Sequence, residues 1–506
     1  MKYRTLFVFF FCVITNSHAQ TNYTSYKGLI MTGYQGWFNC MTDGANKNWT
    51  HYQSGSTFQP GSCVIDFWPD VSEYNKTYVT SFKFPDGTPA SVFSSYDAST
   101  VDVHFKWMQQ YGIDGAFMQR FIHSLTDPLV SNHYNVMFDA AMAASKKYDR
   151  AISIRYDLTG MSPGDTAKLF TDVDAIIARH NILNKAAYPN YLYHKGKPLI
   201  AIGGVGMSKD TAGTDVGLLD AADVIIKGLK KRGFSIMIRV VANWRDLSNS
   251  GVVQDPADQL QFQRILKEID IIMPWHVGAY RESTYVSDKW SSKIKGDIDW
   301  CKVNGIDYVP VIYPGFSRRN LKRVDDGSFR PRNKGTFYWL QAQSAINVGA
   351  EMLFQAQFDE MNEGTQIIKC LNVVPTGLSP FIPYEDGLQS DYYLWLAGKS
   401  GAMLRKEIPF TSTIPVRITG TINNNANTKQ CKVFPNPTNN NVNIVLPDNK
   451  MQASFCVFDS MGCITNNGNI TNNSTTLLLK NLAQGSYFLK INIDAEVYSN
   501  KFVVKK

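Results

Sequence analysis

Asp359, Glu360 and Glu363 follow directly on the apolar run Glu351–Phe358 and stop at Gly364. Three carboxyls where a buried strand runs out raise one another's proton affinity, because each charge disfavours the next. Two carboxyls at i and i+3 fall on one side of a tight turn or a first helical turn. That spacing suits an acid and a base, or an acid and a nucleophile, set on one glycosidic bond. A solvated acidic loop has the same composition, so the elements that would position these residues must decide.

Eight short apolar runs lie between Gly28 and Phe358, at 29–35, 114–120, 151–156, 198–203, 235–240, 269–275, 307–313 and 351–358. Amphipathic stretches separate most of them, at 101–111, 135–147, 165–180, 216–232, 256–267, 289–304 and 335–347. Gly112, Gly233 and Gly305 stand where helices should stop. Strand and helix alternating eight times predict an α/β chain whose parallel sheet closes into a (β/α)8 TIM barrel. A long insertion, 36–100, follows the first strand.

In such a barrel chemistry sits at the C-terminal ends of the strands. Those ends hold Tyr34 and Trp37, Gln119 and Arg120, Asp157, Trp244, His276, Tyr313, and Asp359 with Glu360 and Glu363. Trp49 and His51 lie in the insertion. Aromatic rings would stack on sugar faces, while Arg, Asn and Gln would bind hydroxyls. Glu360 and Glu363 are the expected catalytic pair, and the others are expected to bind substrate. His104 falls inside a helical stretch and reads as structural. No Cys/His cluster has zinc spacing, and no metal or cofactor is expected.

Three stretches carry a resemblance. They are Tyr313-Pro-Gly-Phe-Ser-Arg-Arg-Asn320, Phe329-Arg-Pro-Arg-Asn-Lys-Gly335 and Phe358-Asp-Glu-Met-Asn-Glu-Gly-Thr-Gln-Ile367. With Gly33-Tyr-Gln-Gly-Trp-Phe-Asn39 and Asn48-Trp-Thr-His51, they are similar to glycoside hydrolase families 99 and 71. The likeness runs in order over roughly residues 28–405. It implies internal cleavage of α-mannosidic bonds with retention and without a metal. Glu360 matches the residue that deprotonates the sugar's own 2-hydroxyl, leading to a 1,2-anhydro intermediate. Glu363 matches the general acid, later base, at the leaving oxygen. Met361 stands where family 99 has Trp, Asp359 where it usually has Asn, and Gln119-Arg120 where it has a bulky aromatic. Those departures leave open a second reading, a glycan-binding protein without turnover. Arg120 would equally suit a carboxylated or sulfated sugar.

The rest of the chain bears on location. Lys2 and Arg4, the apolar stretch 6–14 and Ser17-His18-Ala19 form an expected signal peptide, residues 1–19. No later segment approaches the roughly 20 apolar residues of a membrane span. The net charge of +8 sits mostly at the two ends of the chain. Residues 419–506 carry eight Lys against four acidic residues, the signal holds two basic residues, and 20–418 are nearly neutral. Nucleic acid is therefore not an expected partner. Of the seven cysteines after the signal, Cys40 and Cys63 bracket one loop and are the first disulfide candidates, Cys456 and Cys463 the second.

After the barrel, 20–418, an Asn-rich linker covers 419–431. Short alternating runs at 442–446, 453–459, 475–479, 486–493 and 498–504 then predict a small all-β sandwich, 432–506. Val433-Phe-Pro-Asn-Pro-Thr438, Val457-Phe-Asp-Ser-Met-Gly462 and Leu482-Ala-Gln-Gly-Ser-Tyr-Phe-Leu489 resemble the type IX secretion sorting domain of Bacteroidota. That likeness implies export across an outer membrane, with the type IX machinery as partner and a secreted or cell-surface location.

Overall fold

The computed structural model describes residues 21–207, 218–279, 289–322, 329–385, 387–415, 417, 431–447, 452–459, 464–479, 482–493 and 496–505. The expected signal, nearly all of the linker and Cys463 lie outside the described residues. The chain divides into two compact units, Met1–Ser412 and Thr413–Lys506.

In the first unit the strands are β1 (Ile30–Tyr34), β2 (Tyr78–Lys83), β3 (Pro89–Val92), β4 (Gly115–Phe121), β5 (Ala151–Asp157) and β6 (Tyr193–His194). They continue with β7 (Lys197–Gly203), β8 (Ser235–Val241), β9 (Ile271–Trp275), β10 (Asp307–Tyr308), β11 (Val311–Ile312) and β12 (Leu353–Gln355). β12, β1, β4, β5, β7, β8 and β9 pair in parallel in that order.

The stretch expected as the seventh strand arrives in two pieces. β10 pairs with β9, and β11 pairs with β12. Pro310, between them, has no N–H for a ladder. Its carbonyl accepts from the Phe354 amide at 3.1 Å, while the Val309 amide donates to Ile272 O at 3.0 Å. One stretch of chain thus touches both neighbours and closes a ring of eight parallel staves.

Helices Ala98–Tyr111, Pro128–Lys147, Thr166–His180, Leu219–Lys231, Pro256–Leu266, Ser291–Val303 and Thr336–Asn347 connect the staves, and Tyr392–Leu404 follows the last. Because helices cover the outer face, β5 buries all seven of its residues. Asp127 and Asp255 cap their helices by accepting from two backbone amides each, with Pro at the first position. The helix Tyr392–Leu404 was not among the expected ones. Eleven of its thirteen residues are buried, so it shows no polar face to give a period.

The insertion after β1 holds the hairpin β2–β3 and packs around Phe38, Tyr52, Phe58, Trp68, Phe82 and Phe93. Cys40 and Cys63 are not joined here: both are buried thiols. The Cys40 thiol donates to Phe93 O at 3.4 Å and the Cys63 thiol to Ile65 O at 3.8 Å, so each has its own backbone partner.

The second unit is an antiparallel sandwich. One sheet joins β13 (Lys432–Phe434), β14 (Asn441–Val445) and β17 (Ser474–Leu478). The other orders β16 (Ile464–Ile470), β15 (Ala453–Phe458), β18 (Gly485–Ile493) and β19 (Glu496–Val504). Val442, Ile444, Val457, Leu489, Ile491 and Phe502 fill the space between. β13 and β16 were not expected. β16 reads I-T-N-N-G-N-I and lies at a sheet edge, where polar residues guard against further pairing.

Candidate active site

The chain leaving β12 folds into a tight loop. Phe358 N donates to Gly33 O at 2.8 Å, Gln357 N to Thr365 O at 3.0 Å, and Ile367 N to Phe358 O at 2.9 Å. Gly33 on β1 leaves room for the Gln357 carboxamide, which a Cβ there would displace. Asp359 locks the two strand exits together: Oδ1 accepts from Gln35 N at 2.8 Å and Oδ2 from Gly36 N at 2.7 Å. Burial pushes its pKa up to about 6, against the pull of those amides.

Glu360, 3% exposed, takes the Asn362 amide at 2.8 Å and the Glu363 amide at 3.3 Å on one oxygen. Gln35 Nε2 reaches its other oxygen at 3.3 Å. Burial first, then the Glu363 charge, then the Asp359 charge, push the Glu360 carboxyl well above the ordinary carboxylate range. Glu363 is half-exposed one turn further on.

The loop is held from behind. Gly364, at φ +63°, leaves a gap that a Cβ would close onto Phe67 and Ser317 at 3.1 Å. Arg332 Nη2 donates to Gly364 O at 3.0 Å and Gln366 O at 2.8 Å. The Arg332 guanidinium lies over the rings of Phe67, Tyr393 and Tyr384. Asn362, between the two Glu, donates to His51 O at 2.6 Å and meets His51 Nδ1 at 3.1 Å. The insertion is thereby pinned to the carboxyl loop.

His51 stacks on Trp37, with ring centroids 3.9 Å apart and 8° between planes, and Phe121 lies on Trp37 at 5.9 Å. These rings, with His133 and Tyr134, line a cavity of about 380 Å³. Burial lowers the His51 pKa to about 3, so this ring is neutral.

Across the barrel, Asp157 takes Arg239 Nη2 at 3.0 Å, Gln119 Nε2 at 3.3 Å and Thr159 Oγ1 at 2.7 Å. Burial works against its charge, but Arg239 and then Arg155 hold the carboxyl below its ordinary value.

Of the expected residues, the structure gathers Glu360, Glu363, Trp37, His51, Gln119 and Asp157 at the strand ends. It turns seven others away. Side chains alternate along a strand, so the neighbour of an inward residue faces the helices. Arg120 is fully buried on Asp172 at 2.5 Å and Asn135 at 3.0 Å. Tyr34 bonds His104 Nδ1 at 2.8 Å, and Tyr74 holds that ring's other nitrogen. Trp244 packs edge-on against Trp300, and Tyr313 against Phe337. Trp49 packs on Tyr52 and Phe58. Asp359 has both oxygens engaged by amides. His276 is fully buried against Trp290, at the base of the loop after β9.

Sequence reasoning missed Asn362, Arg332, Arg239 and Phe121. Asn362 sits between two singled-out Glu residues and Arg332 in a quoted motif. Arg239 is an isolated charge in an apolar run, which was the available signal.

The fold is that of the GH99 endo-alpha-mannosidase of Bacteroides thetaiotaomicron, with a TM-score of 0.53, 16% identity, and coverage of 76% of this chain and 99% of that one. The same enzyme in complex with bis-tris propane gives 0.52. Among curated proteins, the glycoprotein endo-alpha-1,2-mannosidase-like proteins of Mus musculus and Homo sapiens are each 28% identical over 92 residues. The match spans 18% of this chain and a fifth of theirs. Residues 432–505 match the family described as the secretion system C-terminal sorting domain. The protein thus carries a type IX sorting domain and is exported, to the cell surface or beyond. No helix among the described residues is long and apolar enough to cross a membrane.

Proposed function

We propose that the barrel is a glycoside hydrolase that cleaves α-glycosidic bonds of a mannan-like polysaccharide or glycan, internally and with retention. The observation that carries this reading is the Glu360–Glu363 pair. A buried carboxyl and a half-buried one, whose charge raises the other's proton affinity, close the last stave of a barrel at its chemical end. In this reading Glu363, open to the mouth, protonates the leaving oxygen and later deprotonates water. Glu360, held by two amides and Gln35, takes the proton of the neighbouring 2-hydroxyl. To act as the base Glu360 must be ionised, and the Asn362 and Glu363 amides favour that form against the burial that raises its proton affinity. The shared fold supports the reading, as does the sorting domain, which places the protein where polysaccharides are met.

The test is a screen of the purified protein against α-mannans and α-glucans, with products separated by chromatography and Glu363→Gln run alongside. Release of oligosaccharides by the wild type alone supports the assignment. A Glu363→Gln protein of full activity sinks it.

A further inference from the structure

Arg155 and Arg239 bring two guanidinium groups to the inner face of the barrel, near the C-terminal ends of β5 and β8, against the single carboxylate of Asp157. Arg155 is 3% exposed, and Arg239 retains 11% of its side-chain surface. Both guanidiniums lie over the Trp275 ring, at 5.3 and 5.2 Å, at the end of β9. Phe354 lies under Arg155 at 5.7 Å.

Acceptors run out here before donors do. Asp157 Oδ1 takes Thr159 N, Thr159 Oγ1 and Arg239 Nη2, while Oδ2 takes Arg239 Nη2 and Gln119 Nε2. That fills the roughly four lone-pair positions of a carboxylate. Arg155 reaches it only at 3.9 Å. Among the described residues, Arg155 Nε and Nη1 and Arg239 Nε have no hydrogen-bond partner. A buried guanidinium with idle donors carries a desolvation cost that an anion would relieve.

We infer that this cluster is a subsite for an anionic group of the sugar chain, a carboxylate or a sulfate ester, with Arg155 and Arg239 as its donors and Asp157 as the residue that orients Arg239. The inference rests on the glycan-cleft reading and narrows its substrate to acidic polysaccharides. Trp275, half-exposed between the two arginines, offers the carbon face of the same sugar a surface. Arg120, the arginine expected in this role, points away from the barrel interior onto Asp172.

The experiment measures calorimetric binding to full-length Glu363→Gln protein, which does not consume its ligand. The probes are neutral α-mannan and α-glucan oligosaccharides, uronate-containing oligosaccharides and sulfated ones. Arg239→Gln and Arg155→Gln are then each added to that background, with melting curves as the folding check. The expected result is binding of one acidic class about ten- to hundredfold tighter than the neutral set, and loss of that preference in either arginine variant. Which class binds distinguishes uronate from sulfate. Binding with no acidic preference overturns the proposal and leaves the glycan reading standing, as does a preference that survives in folded arginine variants. Binding of no glycan at all overturns both. Should neither arginine variant fold, the preference of the Glu363→Gln protein itself decides.

Discussion

Replacing Asp359 by Asn tests the clamp that joins the first and last staves. Burial raises the Asp359 pKa from 3.8 to about 6. A raised folded-state pKa means the folded chain holds the proton more tightly than the unfolded one. The resulting stability is full below the unfolded value and lost as pH rises through the folded one. Between roughly pH 4.5 and 7.5 the loss comes to about 2 kcal/mol.

Asn has the same shape and no titration. It can accept from one of the Gln35 and Gly36 amides but points an NH₂ at the other, a cost of about 1–3 kcal/mol that does not vary with pH. The unfolding free energy of the wild type minus that of Asp359→Asn should therefore fall by about 2 kcal/mol or more from pH 4.5 to 7.5. Urea unfolding followed by tryptophan fluorescence reads this cleanly, because all ten tryptophans lie in the first unit. A difference that stays flat or rises with pH would show that Asp359 does not hold its proton in the folded barrel.

Further outcomes are expected. Gly364→Ala puts a Cβ at φ +63° and within 3.1 Å of Phe67 and Ser317, so it should destabilise by about 1–3 kcal/mol and displace Glu363. A melting temperature equal to wild type would contradict this. Arg332→Met leaves the carbonyls of Gly364 and Gln366 without their donor and should lower urea stability by about 2–4 kcal/mol. Asn362→Ala releases His51 and leaves its carbonyl without that donor, so it should lower urea stability by about 1–3 kcal/mol and weaken glycan binding about tenfold. Reductant should leave the barrel's melting unchanged, since Cys40 and Cys63 are not joined to each other; a fall of several degrees would reveal a bridge.

The staves were legible because strands buried on both faces read as unbroken apolar runs, and because Gly and Asp punctuate the helices between them. The direction in which each strand-end side chain points was not. Gln119 and Arg120 are equally polar and adjacent, yet one faces Asp157 inside the barrel and the other Asp172 outside. A register offset of one residue exchanges them, and strand boundaries cannot be read that finely. Tyr34, Trp244 and Tyr313 went astray for a related reason. An aromatic after an apolar run fills the strand–helix layer as readily as it lines a mouth, and Phe105, Trp300 and Phe337 lie opposite them. Helix Tyr392–Leu404 and strand β16 hid because one is buried nearly all round and the other is polar at an edge.

The two-piece seventh stave makes the barrel unequal around its circumference. β4 and β5 are in register over seven residue pairs, whereas the closing stretch meets each neighbour over two. Thermal breathing will therefore concentrate along this seam. The amides of Val309, Phe354 and Ala356, which bridge it, should trade their hydrogens for deuterium sooner than those buried between β4 and β5. β12 is one bank of the seam, and the carboxyl loop hangs directly from it. Every opening would carry Glu360 and Glu363 along, so the barrel's weakest join is also the hinge of its proposed chemistry.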